Sequence, residues 1–301
     1  MPTNPGRFAV FITLLGSFCF IVQDSAMKWL SDDLAVLQTI FVRSLFALGF
    51  LVVWAVVTRT PLSLKSSRPG MVMARTLLNI LSWVFFFTGL KYLPLATATA
   101  LFFSFPIYLT GMSIIFLGEQ VGIRRWIAML VGFCGVILMT HPGSDFHWGA
   151  LFMLGAAMGW ASVAILTRKL ANTKYDSKMA EQSANQEMNE ASILLHTLLG
   201  FCITLALVQP WVWQPISQVN WLLLIVAGFF GVIAQGALVK AYSIASPSLV
   251  APIEYSGLVW AAIFGFVLWN DVPDGMSVVG AVLIVSSNIY ILKREALAQV
   301  S

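Results

Sequence analysis

The chain alternates long apolar runs with short polar connections. Each run is close to the roughly 20 apolar residues that an α-helix needs to cross the hydrocarbon of a bilayer. Ten such runs predict membrane-spanning helices, at residues 8–30, 34–57, 70–90, 95–117, 123–141, 148–168, 190–209, 220–241, 247–269 and 275–292.

The runs are apolar on all sides and do not alternate between apolar and polar positions. A membrane-spanning strand would need such alternation over about ten residues. Because backbone groups in hydrocarbon must find their hydrogen bonds within the protein, continuous apolar runs of this length favour helices. The pattern therefore predicts an all-α integral membrane protein with ten transmembrane helices.

The positively charged residues concentrate on one side of the predicted membrane. Cytoplasmic connections are enriched in Lys and Arg, so we expect both termini in the cytoplasm of a multi-pass protein of the cell inner (plasma) membrane. The cations at the chain ends and in the even-numbered connections are Arg7, Arg59, Lys65, Arg68, Arg124, Arg125, Arg168, Lys169, Lys174, Lys178, Lys240, Lys293 and Arg294.

The second half of the chain repeats the order of the first. Sliding the sequence by 152 residues places 90–138 on 242–290 without a gap and aligns Glu119 with Asp271. Residues 1–146 and 147–301 are predicted to be two repeats of five helices. A tandem repeat with an odd number of spans is inverted in the membrane, and the binding site of such proteins lies at the repeat interface. The polar stretch 171–189 is expected to be an exposed cytoplasmic link.

Composition narrows the function classes. Hydrophobic residues make up 59% of the chain and charged residues 10%, against roughly 25% charged in a soluble domain. The net charge of +4 is spread over the connections, so no nucleic-acid partner is expected. Cys19, Cys134 and Cys202 lack paired or metal-ligand spacing, so we expect no disulfide, metal or cofactor. The first run is expected to stay in the protein because another follows it at once.

Several motifs resemble the drug/metabolite transporter superfamily, and specifically its EamA-type ten-helix members. The landmarks are the stretch 90–100 (Leu-Lys-Tyr-Leu-Pro-Leu-Ala-Thr-Ala-Thr-Ala), Pro106, the Phe-Leu-Gly-Glu that ends at Glu119, and the glycines Gly132 and Gly135. The second repeat departs from the family pattern at Asn270-Asp271, Leu258 and Ser287. The resemblance implies two five-helix repeats around a central cavity and transport by alternating access.

A second set of residues near the N-terminus resembles a narrower branch of this superfamily. Asp24 and Lys28, followed by Gln38 and Arg43, are similar to the Asp-x-x-x-Lys and Gln-x-x-x-x-Arg pattern of a metabolite-importing branch that includes S-adenosylmethionine transporters. The resemblance implies an organic metabolite as substrate. It fixes neither the exact substrate nor the direction of transport.

Ionisable residues inside the apolar runs are the candidate site residues. Each costs at least about 2.5 kcal/mol at the centre of a bilayer, so each needs a reason to be there. Arg43 suits a substrate carboxylate or phosphate, or an ion pair with Asp24 or Glu254. Arg75 shares a predicted helix face with Asn79 and faces either a cavity wall or the cytoplasmic interface.

The carboxylates and one histidine are also candidates for proton coupling. Asp24 lies on a polar helical stripe, or pairs with Lys28 one turn later. Glu254 follows a proline, and a broken helix there would suit a cation, an amine or a proton; the alternative is an ion pair with Arg75, Lys240 or His196. His196 either titrates near neutral pH or is a hydrogen-bonded packing residue.

Aromatic residues away from the span ends are candidates to contact the substrate. Rings of this kind bind flat or cationic groups, although packing between helices is the alternative. The candidates are Trp83, Phe103, Tyr108, Trp160, Tyr255 and Trp260.

The sequence thus favours a secondary active or facilitative transporter of a small zwitterionic or amphipathic metabolite, amino-acid-like or S-adenosylmethionine-like. Its expected partners are that small molecule and the lipid bilayer, and the chain is expected to act as a monomer or homodimer. An exporter of toxic amphipathic compounds is the alternative. An enzyme is disfavoured because the chain contains no Gly-x-Ser-x-Gly or His-Glu-x-x-His motif, and a channel because no filter motif is present.

Overall fold

The computed structural model describes residues 5–64, 69–117, 123–140, 147–172, 190–244, 250 and 253–298, and these residues contain helices but no strand. The predicted link 171–189 lies outside them except for its first two residues, which end a helix. The helices are α1 (Pro5–Leu30), α2 (Val36–Thr58), α3 (Pro69–Tyr92), α4 (Leu95–Phe102), α5 (Phe105–Leu117), α6 (Ile123–Thr140), α7 (Gly149–Asn172), α8 (Glu190–Ala206), α9 (Gln209–Val212), α10 (Gln218–Ile244), α11 (Ser256–Trp269) and α12 (Gly275–Ala298).

The helices have the length and apolarity of membrane spans. Within the described residues, six helical segments are long and apolar enough to cross a bilayer, and four shorter apolar helices occupy the remaining predicted runs. Large apolar side chains cover the outside of the bundle, among them Val57 and Ile115, each 76% exposed. A surface of this kind is stable in contact with lipid, which confirms the all-α membrane fold.

The fourth predicted span is broken in its middle. The apolar run 95–117 predicts one continuous helix, but α4 ends at Phe102 and α5 begins at Phe105. Pro106 explains the break, because proline has no N–H to donate and its ring clashes with the carbonyl four residues earlier, that of Phe102, where α4 ends. The break frees the carbonyl of Phe103, which accepts a 2.7 Å hydrogen bond from Asn288 Nδ2 of α12.

Helix pairing follows the order of the two halves. The most extensive contacts are made by α1 with α10, by α3 with α7, and by α6 with α12. The first span of each half therefore packs against the third span of the other half. The last spans of the two halves pack against each other.

Small residues allow these pairs to approach closely. A Cβ atom added to Gly135 of α6 would lie 2.6 Å from the Gly280 carbonyl oxygen of α12. On the α3–α7 pair, Ser82 Oγ donates a 2.8 Å hydrogen bond to the Ala156 carbonyl. Close backbone approach and interhelical hydrogen bonds are what stabilise helix pairs in lipid.

The C-terminal ends of α1, α3 and α11 are tied together by Lys28. Its Nζ donates to the carbonyls of Leu93, at 2.6 Å, and Leu90, at 3.3 Å, and lies 5.5 Å from the ring centroid of Trp269. The Trp29 and Trp269 rings lie 6.1 Å apart at the same end. The predicted alternative, a pair between Lys28 and Asp24, is therefore replaced by hydrogen bonds to the end of α3.

Candidate functional site

A central cavity lies among α1, α3, α4, α7, α10 and the residues that lead into α11. Its empty volume, including its open mouth, is about 820 Å³. Its lining residues come from both halves of the chain: Ser17, Phe20, Ile21, Asp24, Ser82, Trp83, Phe86, Thr99, Phe102, Phe103, Phe105, Trp160, Leu238, Glu254 and Gly257.

Aromatic rings form much of the cavity wall. Phe102 is central to this wall, with ring centroids 5.0 Å from Phe86, 5.9 Å from Phe105 and 6.2 Å from Trp160. Phe103 stacks edge to face on Tyr255 at 5.0 Å. Rings locked by such contacts present a rigid surface for the flat or apolar part of a ligand.

The charged residues that line the cavity are both acidic. Asp24, which is 5% exposed, lines it from α1, and Glu254 lines it next to α11. The lining hydroxyls of Ser82 and Thr99 donate to backbone carbonyls and so have no proton left for a ligand. These two carboxylates, when ionised, would attract a positively charged group.

Arg43 does not line this central cavity but lies next to Trp83, which does. Its guanidinium carbon is 4.6 Å from the Trp83 ring centroid and 5.7 Å from that of Phe87. Trp83 also lines a second, smaller cavity, and Arg43 lines that cavity rather than the central one. Trp83 is therefore shared by the cavity that contains the carboxylates and the cavity that contains the guanidinium.

Gln23 connects the two charged groups. Its Oε1 accepts a hydrogen bond from Arg43 Nη1, and its Nε2 donates to Asp24 Oδ1 at 2.9 Å. The ion pair between Arg43 and Asp24 that the sequence allowed is therefore a pair bridged by one amide. Gly231 of α10 makes room for this arrangement, because a Cβ atom there would collide with the Gln23 amide oxygen.

The structure brings together five of the predicted site residues around the central cavity. These are Asp24, Trp83, Phe103, Trp160 and Glu254. Two further predicted residues contact other aromatic rings. Tyr255 packs edge to face on Phe103, which lines the cavity, and Trp260 packs edge to face on Phe18, with ring centroids 5.3 Å apart.

The remaining predicted residues lie elsewhere. Arg75, Asn79, Tyr108 and His196 line neither cavity. The His196 Nδ1 atom lies 2.7 Å from the Ser192 carbonyl and its Nε2 atom 3.2 Å from the Leu64 carbonyl, so the ring holds the segment before α3 against α8. This geometry matches the packing alternative for His196.

Three contributors to the site were not predicted from the sequence. Gln23 is the bridging amide, Phe102 is the centre of the aromatic wall, and Asn288 holds the carbonyl at the helix break. Pro106 was a usable signal for the break, since it predicts an interruption just before it. Within the described residues, no group of three His, Cys, Asp or Glu side chains could hold a metal ion.

Comparison with known proteins identifies a family likeness over nearly the whole chain. A model of the EamA-like transporter family matches residues 7–141 and again residues 147–293. A solved crystal structure has the same fold, with a TM-score of 0.62 at 17% identity, covering 95% of this chain and 98% of its own.

Three curated relatives match along almost their entire length. The riboflavin transporter of Vibrio cholerae is 29% identical and covers 94% of this chain and 92% of its own. The S-adenosylmethionine uptake transporter of Rickettsia prowazekii is 27% identical, covering 91% and 88%. The pseudopaline exporter CntI of Pseudomonas aeruginosa is 27% identical, covering 96% and 97%.

Proposed function

This chain belongs to the EamA-like transporter family of the drug/metabolite transporter superfamily, and we propose that it carries an amphipathic organic metabolite with a positively charged group, by alternating access. The observation that carries the proposal is the central cavity, which combines an aromatic wall with two acidic side chains. A flat ring system would pack against Phe102 and Trp160, and a cationic centre would lie near Asp24 or Glu254.

S-adenosylmethionine is the first compound to test, because it combines a purine ring with a sulfonium cation and an amino-acid group. One relative is named for its uptake, and another is named for riboflavin, which also contains a flat ring system. The aromatic wall suits both compounds, whereas the two carboxylates favour the cationic one. The transport assay must determine the direction of transport, because the relatives include both an uptake transporter and an exporter.

Two inverted repeats, residues 1–146 and 147–301, are the proposed basis of alternating access. Support comes from the crossed pairing of α1 with α10 and α3 with α7, which a twofold relation between the halves would produce. The lining of the cavity by residues of both halves is also what a site at a repeat interface requires. Both termini are proposed to lie in the cytoplasm.

The test is transport by purified protein reconstituted in liposomes. Labelled S-adenosylmethionine should enter in a saturable manner and should exchange against unlabelled compound inside, which a channel would not support. Asp24→Asn and Glu254→Gln should each lower transport at least ten-fold if the carboxylates bind the cation. Asp32→Asn is the matched control, because Asp32 is exposed and lies outside the cavity.

Proton coupling is the second part of the proposal. Asp24 and Glu254 lie in the cavity, where a bound proton and a bound cation would compete for the same carboxylate. An imposed pH gradient should then drive uptake or efflux of the labelled compound. If transport by both Asp24→Asn and Glu254→Gln still depends fully on the pH gradient, neither carboxylate carries the proton. The variant His196→Gln tests the third candidate for proton coupling.

A further inference from the structure

The second cavity is lined mostly by apolar side chains, but it contains a buried cation. It lies between α2, α8 and α10 and has an empty volume of about 380 Å³ including its opening. Arg43 is 4% exposed, and its Nε atom is buried without a hydrogen-bond partner among the described residues. A buried guanidinium with an unused donor is costly unless something else satisfies it.

The existing contacts of Arg43 leave part of its charge available. Gln23 accepts one hydrogen bond from Nη1 and donates one to Asp24. The faces of Trp83 and Phe87 stack on the guanidinium plane and do not occupy its N–H groups. Among the residues that the structure describes, no carboxylate lines the second cavity, and Asp24 is connected to Arg43 through the Gln23 amide.

A second donor lies in the same cavity. Gln235 of α10 lines it, and the described part of the chain gives its side chain no hydrogen bond. Thr197 also lines the cavity, but its hydroxyl donates to the Ile193 carbonyl at 3.0 Å and cannot donate to a ligand. Arg43 and Gln235 are therefore two side chains of this lining that can offer N–H groups to one ligand.

We propose that this second cavity is an anion subsite in which Arg43 and Gln235 receive the carboxylate of the transported molecule. The cavity is small and otherwise apolar, which suits a compact, planar anion that a guanidinium can bind through more than one hydrogen bond. Because Trp83 lines both cavities, it would contact a zwitterion whose cationic end lies in the central cavity and whose anionic end lies in the second one. This proposal rests on the proposed transport function and adds the carboxylate to the description of the substrate.

The first test measures anion binding without transport. Purified protein in detergent is titrated with sodium acetate at constant ionic strength, maintained with the bulky sulfonate MES, which carries no carboxylate, and Tm is followed. Acetate should raise the Tm of the unmodified protein in a saturable manner. Gln235→Leu should abolish the rise, whereas Gln218→Leu, an exposed position at the start of the same helix, should retain it. Arg43→Gln should also abolish the rise in Tm. If Arg43→Gln does not fold, the result for Gln235→Leu alone tests the subsite.

The second test identifies the source of the carboxylate. Binding of S-adenosylmethionine is compared with binding of its decarboxylated form, which keeps the ring and the sulfonium. Gln235→Leu should weaken binding of the carboxylate-bearing compound about ten-fold or more and leave the decarboxylated compound nearly unchanged. Equal losses for the two compounds would overturn the assignment of the subsite to the substrate.

The two tests separate this proposal from the proposed function. The anion subsite is overturned if acetate raises the Tm of Gln235→Leu as much as that of the unmodified protein. It is also overturned if acetate does not raise Tm at all. Either result holds even if transport is observed. Saturable acetate binding that depends on Gln235 supports the subsite even if S-adenosylmethionine is not transported.

Discussion

Phe103 and Tyr255 touch edge to face, with ring centroids 5.0 Å apart and planes at 62°, although 152 residues separate them in the chain. The same offset of 152 aligns the two halves of the sequence. Phe103 lies at the break between α4 and α5, and Tyr255 comes directly before α11. Two positions related by this offset therefore meet beside the central cavity, which is the contact that the proposed inverted repeat would produce.

The Phe103–Tyr255 contact should contribute measurably to stability. Edge-to-face aromatic pairs add about 0.5–1.5 kcal/mol beyond the area that they bury. In a double-mutant cycle of Phe103→Leu and Tyr255→Leu, we expect a coupling free energy of about 1 kcal/mol from unfolding in detergent. Additive effects of the two substitutions would show that the rings are neighbours without mutual stabilisation.

Asn288 should stabilise the folded protein, because its side chain donates a hydrogen bond to the carbonyl that the helix break leaves unpaired. Asn288→Ala removes the donor to Phe103 and leaves a buried acceptor unpaired, which should lower the free energy of unfolding by about 1–3 kcal/mol. Ser286→Ala, an exposed position on the same helix, is the control. Equal Tm values for the two variants would mean that water replaces the lost donor.

The α6–α12 pair should depend on its glycines. Gly135→Ala places a methyl group 2.6 Å from the Gly280 carbonyl oxygen, so the helices must separate, and we expect a loss of about 1–3 kcal/mol in unfolding free energy. Gly275→Ala, where a Cβ atom meets nothing within 4 Å, should be close to neutral. Thermal unfolding of the two alanine variants tests the difference, and similar stabilities would contradict the close approach.

Lys28 should hold one end of the bundle together. Lys28→Met removes charge-assisted hydrogen bonds to the Leu90 and Leu93 carbonyls, and the expected cost is about 1.5–3 kcal/mol. Lys91→Met is the matched control, because Lys91 is exposed on the neighbouring helix end. If both variants unfold at the temperature of the unmodified protein, the ammonium group is not a structural element.

The spans were predictable because their length and apolarity reflect the thickness of a bilayer. Asp24 and Glu254 were predictable as cavity residues for a related reason, since a carboxylate within an apolar run must avoid lipid. Both properties are read directly from residue type and position. The break at Phe103 was also readable, from Pro106.

Rotation of each helix about its axis was not predictable. Helices that are apolar all round, such as α5 and α11, give no polar stripe to show which face points inward. Tyr108 of α5 therefore looked like a cavity residue but lines neither cavity. The Gln23 bridge depends on tertiary contacts between α1, α2 and α10, which no local pattern encodes.

The hydrogen bonds of Lys28 have a kinetic consequence for the proposed alternating access. Opening that end of the bundle would require the ammonium to leave two carbonyls and Trp29 to separate from Trp269. An empty carrier has no ligand contacts to offset this cost, whereas a loaded carrier gains them from differential binding. Return of the empty protein should therefore be the slow step of the cycle, so that exchange of one molecule for another runs faster than net flux.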